Sequence, residues 1–203
     1  MLAFDLETTG LCPHSDRVVC AAVCDLEAQF ERVFLFTLGD SAEEFMALLD
    51  GAPRLCAFNG ARFDLPFIQH QLGASSQRVR AWRLKLHDVY EACRLALDIS
   101  FSLDTLLAAN GLPGKTGSGA DAINLAKDGK WAELGEYCLN DTRRTHAVSA
   151  LDRIVLPRTH GTLCMDASGR FLKTQDSTSY LSPGPAPAHP TDSVQRIAWT
   201  TPK

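Results

Sequence analysis

The sequence predicts an α/β domain built on a mixed central sheet flanked by helices. Three observations point there. Residues 1–36 hold three apolar, strand-like runs. One helical segment and a further short apolar strand come next. From residue 102 to 151 the apolar positions then recur almost throughout at helical spacing.

In chain order, residues 1–6 (MLAFDL) read as a short first strand. "RVVCAAVCDL" (17–26) and "QFERVFLF" (29–36) read as two more, joined by a turn brief enough for a hairpin. "SAEEFMALL" (41–49) opens with Ser41 as N-cap and an acid two positions on, then takes helical apolar spacing. "RLCAFN" (54–59) is a short buried strand. "FDLPFIQHQL" (63–72) follows as a helix, with Pro66 in the first turn, where its missing N–H is tolerated. "VRAWRLKL" (79–86) roughly alternates, which sends Val79, Leu84 and Leu86 inward and the charges outward. "HDVYEACRLAL" (87–97) is the next helix candidate, and a glycine-rich loop at 110–121 interrupts the helical remainder.

A chain of 203 residues that is 45% hydrophobic can bury one substantial core, so one domain plus an extension is expected. The composition changes near Pro157, and the chain divides into a domain at 1–157 and a tail at 158–203. The tail holds five of the ten prolines, with "SPGPAPAHP" at its centre. A small hairpin around Ser168-Gly169 fits residues 162–174, and 175–203 reads as disordered. The net charge of −4 excludes a strongly basic field, and residues 1–156 alone carry −6. Seven cysteines, an odd number in no regular frame, exclude a disulfide scaffold. Cys20 and Cys24 lack the second pair that a zinc site would need. Reduced thiols, no signal peptide and no apolar run of membrane length indicate a cytoplasmic protein without a membrane partner.

"FDLETTG" (4–10) places two acids on one strand. Residues i and i+2 share a face, so Asp5 and Glu7 point the same way, repel each other and lose hydration. A solvated outer face would explain them, and so would a bound cation. "FNGARFDLPFI" (58–68) puts Asp64 just after a short strand, at the opening of a helix. The helix dipole alone favours an acid there, but strand ends in α/β sheets are also where sites are built. In "EYCLNDTRRTHAV" (136–148), Tyr137 and Asp141 are i and i+4 and stack on one helical face.

Taken as an ordered set, "FDLETTG", "FNGARFDLPFI" and "YCLND" resemble the three motifs of the DEDD superfamily of 3′→5′ exonucleases, which have a ribonuclease H-like fold. The resemblance runs from about residue 2 to 150. The third motif is Tyr-x-x-x-Asp, as in the tyrosine branch; the histidine branch would need His where this chain has Glu136. The likeness is to proofreading exonuclease domains of family B DNA polymerases and their free-standing relatives. The resemblance implies that Asp5, Glu7, Asp64 and Asp141 hold two divalent cations, Mg²⁺ or Mn²⁺. It gives Tyr137 the task of orienting the attacking water. It implies that Thr8, Thr9 and Leu11 meet the terminal nucleotide, and that Asn59 and Phe63 line a single-strand channel. Single-stranded DNA 3′ ends are the implied substrate, with RNA as the alternative. A polymerase or repair protein recruited by the tail is the implied partner. A binding or scaffold module is the non-enzymatic rival, although it would have no need of repelling carboxylates.

Two stretches are weaker. "ANGLPGKT" (109–116) fits a loose phosphate-loop pattern, but a helix rather than a strand precedes it. A glycine-rich loop beside the substrate channel, with Lys115 reaching a phosphate, suits it better. "QRVRAWRLK" (77–85) is either a solvated face or a strip contacting phosphates. After it, His87 reads as a packed residue and Asp88 as a helix cap.

Overall fold

The computed structural model describes residues 1–97, 100–114, 119–157, 162–165 and 171–173. The predicted Lys115 contact and nearly all of the Pro-rich tail lie outside the described residues. Strands β1 (Leu2–Thr8), β2 (Val18–Asp25) and β3 (Phe30–Leu35) form an antiparallel meander. Helix α1 (Ala42–Gly51) leads to β4 (Leu55–Ala57), which pairs parallel with β1. Helices α2 (Asp64–Gln71) and α3 (Ser76–Lys85) then lead to β5 (Leu86–Asp88), parallel to β4. The resulting mixed sheet has the order β3-β2-β1-β4-β5. The remaining helices are α4 (Val89–Leu97), α5 (Leu103–Ala109), α6 (Gly119–Lys127) and α7 (Trp131–Ser149). A second sheet, β6-β7-β8, consists of Arg153–Val155, Thr162–Met165 and Phe171–Lys173. Among the described residues no helix is long and apolar enough to cross a membrane.

Alternation along β1 sorts its side chains between two cores. Leu2, Phe4 and Leu6 pack with Ala21, Val23 and Phe34 against α1, α2 and α3. Ala3 turns to the other face, where Cys20, Ala22, Cys24 and Cys56 meet α6 and α7. The small residues on that face let the long helix α7 lie close to the sheet. Asp5 and Glu7 share Ala3's parity, so the strand points them at α7. The register between β1 and β2 shifts at Glu7/Thr8, an irregularity of the kind that bends a strand where a site begins.

Ser41, Ser75 and Ser102 cap α1, α3 and α5, each accepting a hydrogen bond from a backbone N–H three residues on. Ser75 is the signal that the alternating reading of 79–86 overlooked. That stretch is helical to Lys85, and the missed strand β5 begins at Leu86. The burial changes accordingly: Trp82 is fully buried and donates its indole N–H to Asp50 at 2.7 Å, whereas Leu84 is 84% exposed. On a strand the two would share a face; on a helix they are 200° apart.

This gives a direct test of α3. Trp82→Ala is expected to cost roughly 3–5 kcal/mol in urea unfolding, and Leu84→Ser less than about 0.5 kcal/mol. Comparable losses from both would put them on one buried strand face instead.

Candidate active site

Three distant segments build one end of the sheet. β1 supplies Asp5 and Glu7, both half-buried. α2 opens on Asp64, only 2% exposed. α7 contributes Tyr137 and Asp141, at 8% and 3% exposure, on the face packed against the sheet. Tyr137 has been brought under the carboxylates. Burial first, then the charges of Asp141, Glu7 and Asp5, push its phenol above its ordinary value. Asp141 has a nearby cation, with Arg144 Nη1 at 3.4 Å from Oδ1, one turn further along α7.

Asp64 is the most constrained of the acids. Its Oδ1 is buried and has no hydrogen-bond partner among the described residues. Burial raises its pKa well above the usual carboxylate value, and the charges of Asp5 and Asp88 raise it further. Among the described residues no cation is paired with it. The donors gathered nearby are mainly carboxylate oxygens, which suit hard divalent cations. One sulfur stands among them: Cys138 Sγ and carboxylate oxygens of Asp5 and Glu7 all lie within 4.8 Å of one another. The sequence reading missed Cys138, although its spacing of three from Asp141 puts both on one helical face.

Asp64 is aimed by the loop ahead of it. Asn59 adopts φ 66°, a left-handed conformation that Asn tolerates better than most residues. Gly60 is required by space, since a Cβ there would meet the Ala57 Cβ at 2.5 Å. Asp88, at the end of β5, fastens this loop. Its Oδ1 accepts from Asn59 N at 3.0 Å and Glu91 N at 3.1 Å, and its Oδ2 from Ala61 N at 2.8 Å. The expected helix cap is therefore there, in the bond from Glu91. No local pattern signals the tie to a loop 27 residues earlier. His87 is half-buried, and burial, with the charge of Arg54 after it, pushes its pKa down to about 4.

The residues expected at the substrate are placed as follows. Thr8 Oγ1 donates to Gly10 O at 2.6 Å, and Thr9 Oγ1 accepts from Arg17 N at 2.9 Å, so both hydroxyls close the β1–β2 turn. Leu11, on the same turn, is 83% exposed. Asn59 is half-buried, with its N–H on Asp88. Phe63 packs against Phe67, ring centroids 4.9 Å apart, and joins the core edge. The basic strip at 77–85 is largely engaged within the protein. Arg78 pairs with Glu43 and Asp50, Lys85 donates to the carbonyls of Asp50 and Ala52, and Arg83 reaches the Ala61 carbonyl.

A family model described as the RNase_H superfamily matches residues 2–150. A search of curated proteins returns no significant match. Among solved structures, the chain resembles a family B DNA polymerase from the hyperthermophilic archaeon Pyrobaculum calidifontis. Identity is 22% and the TM-score 0.57, over 71% of this chain and 23% of the polymerase, so this chain spans under a quarter of that protein. A structure described as the apo form of a nuclease matches at 22% identity and a TM-score of 0.50, over 72% of this chain and 68% of the other. An exonuclease I from Methylocaldum szegediense matches at 20% identity and a TM-score of 0.47, over 73% of this chain and 39% of the other. The first two likenesses establish the fold.

Two predictions follow from this geometry. In metal-free protein the raised Asp64 pKa favours folding fully below the unfolded value near 3.8. That contribution is lost as pH rises through the native value. Urea titrations in EDTA at pH 5 and pH 8 should therefore show Asp64→Asn gaining on the wild type as pH increases; a pH-independent difference would contradict the burial argument. Asp88→Asn leaves the loop with a weaker acceptor and is expected to cost about 1–3 kcal/mol, read as a lower urea midpoint.

Proposed function

The chain belongs to the RNase_H superfamily, and from that premise we propose that it is a metal-dependent 3′→5′ exonuclease acting on single-stranded DNA ends. Family and fold make it a nuclease-type enzyme. The direction of attack, the substrate and the residue roles are our reading. Asp64 carries it: a buried carboxylate with an unsatisfied oxygen, in the field of Asp5, has no structural purpose that an amide or an apolar residue would not serve better.

Asp5, Glu7, Asp64 and Asp141 would hold two divalent cations, which when bound supply an acidified water and charge neutralisation at the phosphodiester. Tyr137 orients the attacking water by a hydrogen bond and does not take its proton. Burial, and then the charges of the acids around it, keep the phenol protonated, so it stays a donor. Asp141, paired with Arg144 on the same helix, is held in place for the reaction. Water attacks the terminal phosphorus, the bond to the 3′ oxygen of the preceding nucleotide breaks, and a nucleoside 5′-monophosphate leaves.

The β1–β2 turn sits directly after Glu7. Leu11, exposed among the described residues, is available to pack on the terminal base. The backbone of the stiffened Thr8–Gly10 turn can meet the sugar. With most of the 77–85 strip engaged by acids and backbone carbonyls of the protein itself, the substrate's charge is met chiefly at the metal centre. Single-stranded DNA is favoured over duplex on that account, since a narrow contact at one end suits a frayed terminus.

A gel assay on 5′-labelled single-stranded DNA and RNA of one sequence, with Mg²⁺, Mn²⁺ or EDTA, tests this. A metal-dependent ladder shortening from the 3′ end is expected, faster on DNA. Asp5→Ala and Asp141→Ala should abolish it, and Tyr137→Phe should slow it by about 100-fold. Intact protein that is stabilised by Mn²⁺ but cleaves neither strand would end the enzymatic reading.

A further inference from the structure

Cys138 introduces a sulfur into a set of oxygen donors. It lies on α7 between Tyr137 and Asp141, is fully buried, and donates a weak hydrogen bond from Sγ to the Asp5 carbonyl at 3.6 Å, with the Cys20 thiol also beside it. Its Sγ, an Asp5 oxygen and a Glu7 oxygen are mutually within 4.8 Å, close enough for small side-chain adjustments to bring them onto one ion. One sulfur and two carboxylates make a three-ligand site with an open fourth position, a set that suits Zn²⁺ far better than Mg²⁺. Asp64 supplies a second sign that a cation belongs at this end of the sheet, since its buried Oδ1 has no hydrogen-bond partner among the described residues.

We propose that Cys138, Asp5 and Glu7 form a site for a thiophilic divalent cation of the Zn²⁺ or Cd²⁺ type, which competes with hard cations for Asp5 and Glu7 and holds the enzyme inactive. The proposal rests on the exonuclease reading only for the word inactive; the binding itself does not need it. As the metal–sulfur bond forms, the thiol proton passes to solvent, and the cation's charge replaces it beside the two carboxylates. Occupation withdraws Asp5 and Glu7 from the cations that would serve hydrolysis. The consequence is a nuclease that Mn²⁺ supports and trace zinc silences.

The test uses the full chain with Co²⁺ as a spectroscopic stand-in for Zn²⁺. Wild type should develop a thiolate-to-cobalt charge-transfer band in the near ultraviolet, and Zn²⁺ should displace it. Cys138→Ser and Cys138→Ala should lose the band, whereas Cys12→Ser should keep it, which excludes the exposed thiol in the β1–β2 turn. Zinc affinity should fall at least about tenfold in both Cys138 variants, the smaller loss expected even for removing a ligand's supporting partner. The thermal shift given by Mn²⁺ should stay as in wild type. Two variants are used because the serine hydroxyl alone could unfold a buried site; the alanine variant then carries the comparison. A band and zinc affinity unchanged without Cys138, or a band lost with Cys12, overturns the proposal while leaving the carboxylate site standing. If neither Mn²⁺ nor Co²⁺ binds the wild type, the proposal and the metal-dependent reading both fall.

Discussion

Strand β1 lies at the middle of the sheet with apolar packing on both faces, and yet it carries two acids. Its hydrogen bonds to β2 on one side and β4 on the other fix its register. Leu2, Phe4 and Leu6 anchor it on one core, and Ala3 on the other. A one-residue slip would turn Asp5 and Glu7 into the leucine-rich layer, at a cost far above any gain. The register that buries the strand is therefore the one that presents its acids to α7. Repulsion between those acids is accepted because the apolar burial of the rest of the strand outweighs it.

The other side of the site depends on a second device. Asp64 begins α2, and its position is set by a turn that needs Asn59 in a left-handed conformation and a glycine beside Ala57. Asp88 holds that turn from β5 by accepting from two of its backbone N–H groups, those of Asn59 and Ala61. The same anion adds to the field that Asp64 already feels from Asp5. Rigidity and strain thus come from one residue: the carboxylate that fixes the loop also makes the charged form of Asp64 harder to keep. A bound cation resolves both demands at once.

Electrostatics also shape what the protein can bind. Most of the basic strip on α3 is spent on internal partners, with Arg78 bridging Glu43 and Asp50 while its guanidinium covers the Trp82 ring at 5.5 Å. On the proposed reading, a body with net negative charge would hold a phosphodiester through metal ions more than through side chains. In the proposed zinc site Cys138 acquires a role that its burial alone would hide, because the choice of cation would then decide whether this centre is occupied productively.

Local spacing determined much of this protein from the sequence alone. The two-residue spacing of Asp5 and Glu7, the four-residue spacing of Tyr137 and Asp141, and the strand–turn–helix entry to Asp64 are properties of a few neighbouring residues, so they were legible. So were the first three strands, α1 and α2, whose apolar periods match their observed faces. The stretch at 79–86 was misread because arginines between apolar residues mimic alternation, and only Ser75 and the buried Trp82 show the helical period. What the tertiary structure decided lies between distant segments. Asp88 reaches back to Ala61, Cys138 comes up beside Glu7, and the Thr8 and Thr9 hydroxyls turn inward to close their own loop. Periodicity fixes which way a side chain points along its own element; which partner stands opposite depends on sheet order and packing, and no local pattern encodes that.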